Sequence, residues 1–107
     1  VNVDQIIIEN RDRKIRQAWE AVLRQPEGRL AIWSILENCH LFSQTHAGDA
    51  HDSYRAGMRE IGLRILNDRV FPHDTRTFAG MQTEHAEMMA EIQHAAEQQA
   101  KREQADE

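Results

Sequence analysis

The sequence holds a single cysteine, Cys39, with two prolines, one tyrosine and three phenylalanines among its 107 residues. One cysteine cannot close an intramolecular disulfide, so nothing argues for an oxidising compartment. At its helical position Cys39 reads as a small core hydrophobe. Apolar runs are short: the longest, Ile6 to Ile8 and Leu30 to Trp33, fall far below the roughly 20 residues of a membrane-spanning helix. No basic start followed by an apolar stretch marks a secretory signal. A start at Val1 fits a trimmed initiator methionine, and an intracellular or particle-bound protein is expected. Period-two alternation is missing as well, which removes a β architecture.

What is present is charge and helical periodicity. The net charge is −5, and three basic against eight acidic groups from residue 74 onward account for it. The remainder is close to neutral, so no global basic field recruits nucleic acid, and the acidic tail repels phosphate. A chain of this length fits one domain with a modest core, which favours partner subunits over a deep enclosed active site.

Punctuation along the chain divides it into four helical segments. Asn2 and Asp4 offer capping oxygens before a helix from about Gln5 to Arg24, with Ile8, Ile15, Trp19, Val22 and Leu23 at helical spacing. Pro26 suits the first turn of a second helix, in which Ile32, Ile35, Leu36 and Cys39 share a face and Trp33 flanks it. Ser43 to Asp52 is a loop, and Asp49 is placed to cap the third helix. Tyr54, Met58, Ile61, Ile65 and the stem of Arg69 line that helix, which Phe71 and Pro72 are expected to stop, with Asp74 capping the fourth. The last helix carries Phe78, Met81, His85, Met88, Ile92 and Ala95 as a heptad-like seam that fades after Ala96.

The expected fold is therefore all-α: a small helical bundle around the central hairpin of Pro26 to Asp68, with a longer C-terminal helix. Residues 1–96 form one helical domain, and 97–107 an acidic, solvated helix end. Gly57 and Gly62 each cost roughly 1 kcal/mol in a helix interior, which calls for a packing reason.

Chemical motifs are weak. Glu37 with His40 and Glu91 with His94, plus Glu20 and Glu60, supply the residue types of a carboxylate-bridged di-metal site. Their phases do not converge: His94 lies roughly 160° from the centre of its helix's apolar face, and Glu60 and Glu20 roughly 140° and 120° from theirs. His46, Asp49, His51 and Asp52 form a second metal candidate, opposed by the capping roles open to both aspartates. Ser34, Ser43 and Ser53 lack a nucleophile-elbow context, and Cys39 and His40 point about 100° apart on a helix. His85 reads as a core or interface histidine. Arg11, Arg13, Lys14 and Arg16 are the best candidates for phosphate contacts, although Glu9 and Asp12 interrupt them. Arg29, Arg59 and Arg64 could equally pair with carboxylates on their neighbours.

Pro26-Glu27-Gly28-Arg29, Trp33, Leu36 and Phe42, then Gly57-Met58-Arg59-Glu60-Ile61-Gly62-Leu63 and Leu66, carry a resemblance. Over about residues 20–70 the chain resembles a small family of tailed-bacteriophage proteins typified by a Bordetella podophage gene product; it departs from the family pattern across Ala56 to Glu60. The resemblance implies a non-enzymatic structural or assembly subunit of the virion, whether internal core or ejection protein, portal-associated factor or tail component. It implies assembly in the host cytoplasm, other virion proteins and copies of itself as partners, and neither cofactor nor small-molecule substrate. Trp19, Trp33, Phe42 and Tyr54 are the expected packing anchors, and the seam of Phe78, Met81, His85, Met88 and Ile92 the expected subunit contact. The alternative is a small nucleic-acid-binding helical protein using the Arg11–Arg16 cluster. A metal-binding helical-bundle enzyme is a remote third.

Overall fold

The structure, a computed structural model, describes residues 2–43 and 48–106. Among the described residues every regular element is helical. Helix α1 (Val3–Arg24) opens where Asn2 Oδ1 accepts the Asp4 N–H at 2.9 Å, satisfying one of the orphan donors of a first turn. It ends at Gln25, which precedes proline and is extended. Pro26 then starts α2 (Pro26–Asn38), so a single residue joins the two helices.

Helix α2 ends in a Schellman motif. Leu41 N–H donates to Leu36 O at 3.3 Å and His40 N–H to Glu37 O at 3.0 Å. His40 holds the left-handed position at φ 58°, where a side chain other than glycine costs about 1–2 kcal/mol. His40→Gly is expected to stabilise the fold by about 0.5–1 kcal/mol, after the entropy that glycine forfeits on folding. A urea midpoint unchanged or lowered would contradict this.

The chain then runs through α3 (Asp52–Ile65), a π-helical segment (Leu66–Val70) and α4 (Phe71–His73), and after Asp74 into α5 (Thr77–Ala105). Phe71 and Pro72 do not stop the third helix as expected. The Phe71 N–H reaches back five residues to Leu66 O, and this widened turn accommodates a proline that lacks its own N–H and whose ring crowds the preceding turn. The break comes at Asp74, which is fully extended.

Neither loop aspartate caps its helix as expected: the N-cap positions are His51 for α3 and Arg76 for α5, without a side-chain cap bond, and each aspartate instead closes a tight turn just before the helix. Asp49 Oδ1 accepts from His51 N–H at 2.9 Å and Asp74 Oδ1 from Arg76 N–H at 2.8 Å. The Asp49 carboxyl is held below the usual carboxylate range by the His51 N–H and then by Arg55; the Asp74 carboxyl is held down by the Arg76 guanidinium and then by its N–H. Each contribution is fully present above the ordinary carboxylate pKa and disappears as pH falls through the lowered one.

The core comprises Leu23, Ile32, Trp33, Leu36, Leu66, Val70 and Met81, with Trp19, Leu41, Ile65, Phe71 and Phe78 packed around it. It is thus built from the end of α1, α2, the π-helical segment and the start of α5. The hairpin of α2 and α3 is not its centre: Tyr54 and Ile61 are 64% and 56% exposed, and the inward row is Gly62, Leu66 and Val70. Close approach of Gly62 to Cys39 turns this row toward α2. On α2, Trp33 sits at the centre and Ile35 is exposed; on α1, Ile8 and Val22 are exposed.

The molecule measures 75 × 38 × 23 Å with a radius of gyration of 19.5 Å. A compact globule of this length has about 13 Å. The difference lies in two overhangs, because α1 before Ile15 and α5 after Met88 are exposed on all sides.

Candidate functional site

Trp33 organises the face shared by α2 and α5. Its ring stacks on Phe42 at 4.6 Å, on His85 at 5.1 Å and on Phe78 at 5.8 Å between centroids, and Phe71 meets Phe78 edge-on at 6.2 Å. Offset stacks of this kind add to the burial they accompany. Phe42 reaches the stack because the left-handed turn at His40 folds the chain back over α2. His85 also approaches Glu37, with Nε2 3.8 Å from Oε1.

Beside the stack, Arg29 ties three helices together. Its Nε lies 2.9 Å from Glu84 Oε1 on α5, and its Nη1 donates to Leu23 O at the end of α1 at 2.8 Å. The pairing expected for Arg29 is thus to α5, and Arg64 pairs with Glu60 on its own helix at 2.9 Å. Arg59 takes no carboxylate among the described residues; it donates to Leu41 O at 3.1 Å and closes the end of α2 against α3. Between α2 and α5 an open cleft of about 270 Å³ is lined by Pro26, Leu30, Trp33, Glu84, His85 and Met88.

The anchors fall into distinct groups. Trp33 and Met81 are buried; Trp19 is half-buried with the Arg69 guanidinium 5.9 Å above its ring; Phe42, Phe78, His85 and Met88 cover the core from outside. Tyr54 and Ile92 are 64% and 52% exposed and neither belongs to the core cluster of the described residues. For Tyr54 this corrects the expected packing role, and the cause is the rotation of α3 about its contact with Cys39.

The two helix-interior glycines also part company. A Cβ on Gly62 would sit 2.9 Å from Cys39 Cβ, whereas one on Gly57 meets nothing within 4 Å. Gly57 therefore has no packing reason inside the chain. Gly57→Ala is expected to stabilise by about 1 kcal/mol through helix propensity. Gly62→Leu is expected to cost about 2–3 kcal/mol, because the Cys39 Cβ cannot move without its backbone. Equal melting temperatures for the two variants would refute the distinction.

The described residues do not gather the candidate catalytic and metal-ligating groups into one constellation. Among the described residues no polar or charged side chain is buried and no three potential metal-ligating groups gather. Glu37 and His40 remain at the end of α2, and Glu91 and His94 stand on the solvated part of α5. In the loop candidate, Arg55 Nη2 lies 2.7 Å from Asp49 and 2.6 Å from Asp52, so a guanidinium occupies the carboxylates. His46 lies outside the described residues. Arg11, Arg13, Lys14 and Arg16 are all exposed on the α1 overhang. No helix is long and apolar enough to cross a membrane among the described residues.

Sequence reasoning missed Gly28, where a Cβ would clash with the Val22 carbonyl oxygen. The signal was the single-residue joint Gln25, which leaves the first turn of α2 against the last turn of α1. No curated protein and no solved structure matches the chain. The family model of the Bbp19-like phage proteins matches residues 19–90. The match reaches beyond the 20–70 expected from the motifs and takes in the start of α5. It spans the packed body from Trp19 to Met88, and most of each overhang lies outside it. The chain belongs to the Bbp19-like phage protein family.

Proposed function

We propose that this phage protein is a non-enzymatic structural or assembly subunit of the tailed-phage particle, working through contacts with other particle proteins and with copies of itself. The observation that carries this reading is the division of the molecule into a packed body and two helical overhangs with exposed apolar residues. Val3, Ile7 and Ile8 on α1 are 69%, 58% and 59% exposed, and Ile92 on α5 is 52% exposed. Grouped apolar surface of this kind marks interaction sites. No charged side chain is buried among the described residues, which supports the non-enzymatic part, since catalytic acids and bases depend on such environments.

Mass spectrometry of purified virions with cross-linking tests the proposal. The expected result is a fixed copy number and cross-links to core, portal or tail proteins, which assign the place. Absence from virions, together with normal particle yield after deletion of the gene, would overturn it. A second reading, DNA contact through Arg11, Arg13, Lys14 and Arg16, is favoured by their exposure alone. It predicts DNA retention that weakens steeply with salt.

A further inference from the structure

The two overhangs carry complementary stripes. On α1, Val3, Ile7, Arg11, Lys14, Ala18 and Val22 succeed one another at spacings of four and three, which places them on one side of the helix, turned away from Leu23, with Ala18 and Val22 bordering Trp19 and Ile32. All six are exposed, and Ile7, Arg11, Lys14 and Ala18 line a shallow open groove along the helix. On α5, the row that holds Phe78, Met81 and His85 against the body continues outward as Met88, Ile92, Ala95 and Gln99. Met89 and Glu103 lie on one flank of this row and Glu91 on the other.

Charge separates the two surfaces. On the α1 stripe itself the charges are Arg11 and Lys14, with Asp4 beside its first turn, whereas Arg13, Arg16, Glu9 and Asp12 lie on the other sides of the helix; along the α5 overhang, Glu91, Glu97, Glu103 and Asp106 outweigh Lys101 and Arg102. Arg11, Lys14 and Glu91 make no ion pair among the described residues. Lengths agree as well: at 1.5 Å per residue, Val3 to Val22 spans about 28 Å and Met88 to Glu103 about 23 Å. Because both stripes are exposed, they do not cover each other within one chain. Pairing α5 with α5 would bring its acidic residues together, and pairing α1 with α1 its basic ones.

We infer that the α1 overhang of one copy docks on the α5 overhang of a second copy of this chain, with the apolar stripes in contact and Arg11 and Lys14 set against the acidic surface on which Glu91 and Glu103 stand. The occupant is a second copy because each surface supplies the charge and the apolar row that the other needs, on the same molecule. This deepens the subunit reading by naming the surface and the partner, and it rests on that reading only for its biological setting.

Two doubly reversed full-length chains test the inference, one carrying Arg11→Glu and Lys14→Glu and the other Glu91→Lys and Glu103→Lys. All four positions are exposed, and circular dichroism with melting temperature checks that both chains fold. Sedimentation equilibrium of the unaltered chain is expected to show a dimer or larger assembly. Each reversed chain alone is expected to associate at least about 100-fold more weakly, because like charges then face each other. An equimolar mixture is expected to recover association, since opposite charges meet again at both contacts.

A monomeric unaltered chain at several hundred micromolar overturns the inference, as does a reversed chain that still self-associates or a mixture that stays dissociated. So does a monomer that retains duplex DNA and loses it when Arg11 and Lys14 are reversed. Presence in virions together with a monomer in solution would sink this contact and leave the subunit proposal standing; self-association without presence in virions would do the opposite.

Discussion

Replacing Gly28 with alanine is expected to lower stability by about 3 kcal/mol and the melting temperature by roughly 15 °C. A Cβ at this position would run into Val22 O and lie 2.8 Å from Val22 C, both backbone atoms. A flexible side chain could swing aside, but a carbonyl inside the last full turn of α1 cannot. Relief requires α1 and α2 to separate at their joint. That movement would disturb Arg29, whose guanidinium bonds Leu23 O and Glu84 together, and Leu23 itself, which is 1% exposed at the centre of the core. The helix-propensity gain of alanine over glycine, about 1 kcal/mol, is smaller than this cost. Gly57→Ala is the matched control, because it makes the same change where nothing lies within 4 Å. Thermal unfolding monitored by circular dichroism checks both; a Gly28→Ala chain that melts with the unaltered one would refute the close approach.

Much of the fold was legible because the local signals here are strong. Asn2 and Pro26 act at the starts of their own helices, and Asp49 and Asp74 make tight turns just before the next ones, so the helix starts could be read to within a few residues from residue type and position. Trp33 and the row of Phe78, Met81 and His85 were legible because helical spacing alone gathers them on one side. The orientation of α3 was not. Its apolar residues favour a face through Tyr54 and Ile61, yet the inward row is Gly62, Leu66 and Val70. That choice depends on a contact with Cys39, 23 positions earlier in the chain, which no local pattern reports. The π-helical turn was hidden for a related reason. Proline argues locally for a stop, and only packing of Leu66 and Val70 into the core holds the helix together past Pro72. As for the candidate site, periodicity showed the seam on α5 but not where the body ends beneath it. The boundary at Met88 is set by the length of α2, the helix that α5 lies against.

Trp33→Ala is expected to cost about 3–5 kcal/mol, a large part of the roughly 5–15 kcal/mol that stabilises a domain of this kind. The side chain is 7% exposed and is the ring on which Phe42, Phe78 and His85 all stack, so its loss opens a cavity and releases three neighbours at once. Trp33→Phe should behave differently. The indole Nε1 is buried with no hydrogen-bond partner among the described residues, a desolvated donor that costs about 1–3 kcal/mol. Phenylalanine gives up part of the buried area but removes that donor and keeps a ring in the stack. The two effects oppose each other and are of similar size, so the net change is expected to stay within about 1 kcal/mol. Urea unfolding monitored by far-ultraviolet circular dichroism measures both variants without relying on the indole fluorescence that the substitutions remove. If phenylalanine costs as much as alanine, the indole contributes a hydrogen bond and the stack is not what holds α2 against α5. If phenylalanine is nearly neutral, ring packing at Trp33 sets the rigidity of the body from which both overhangs project.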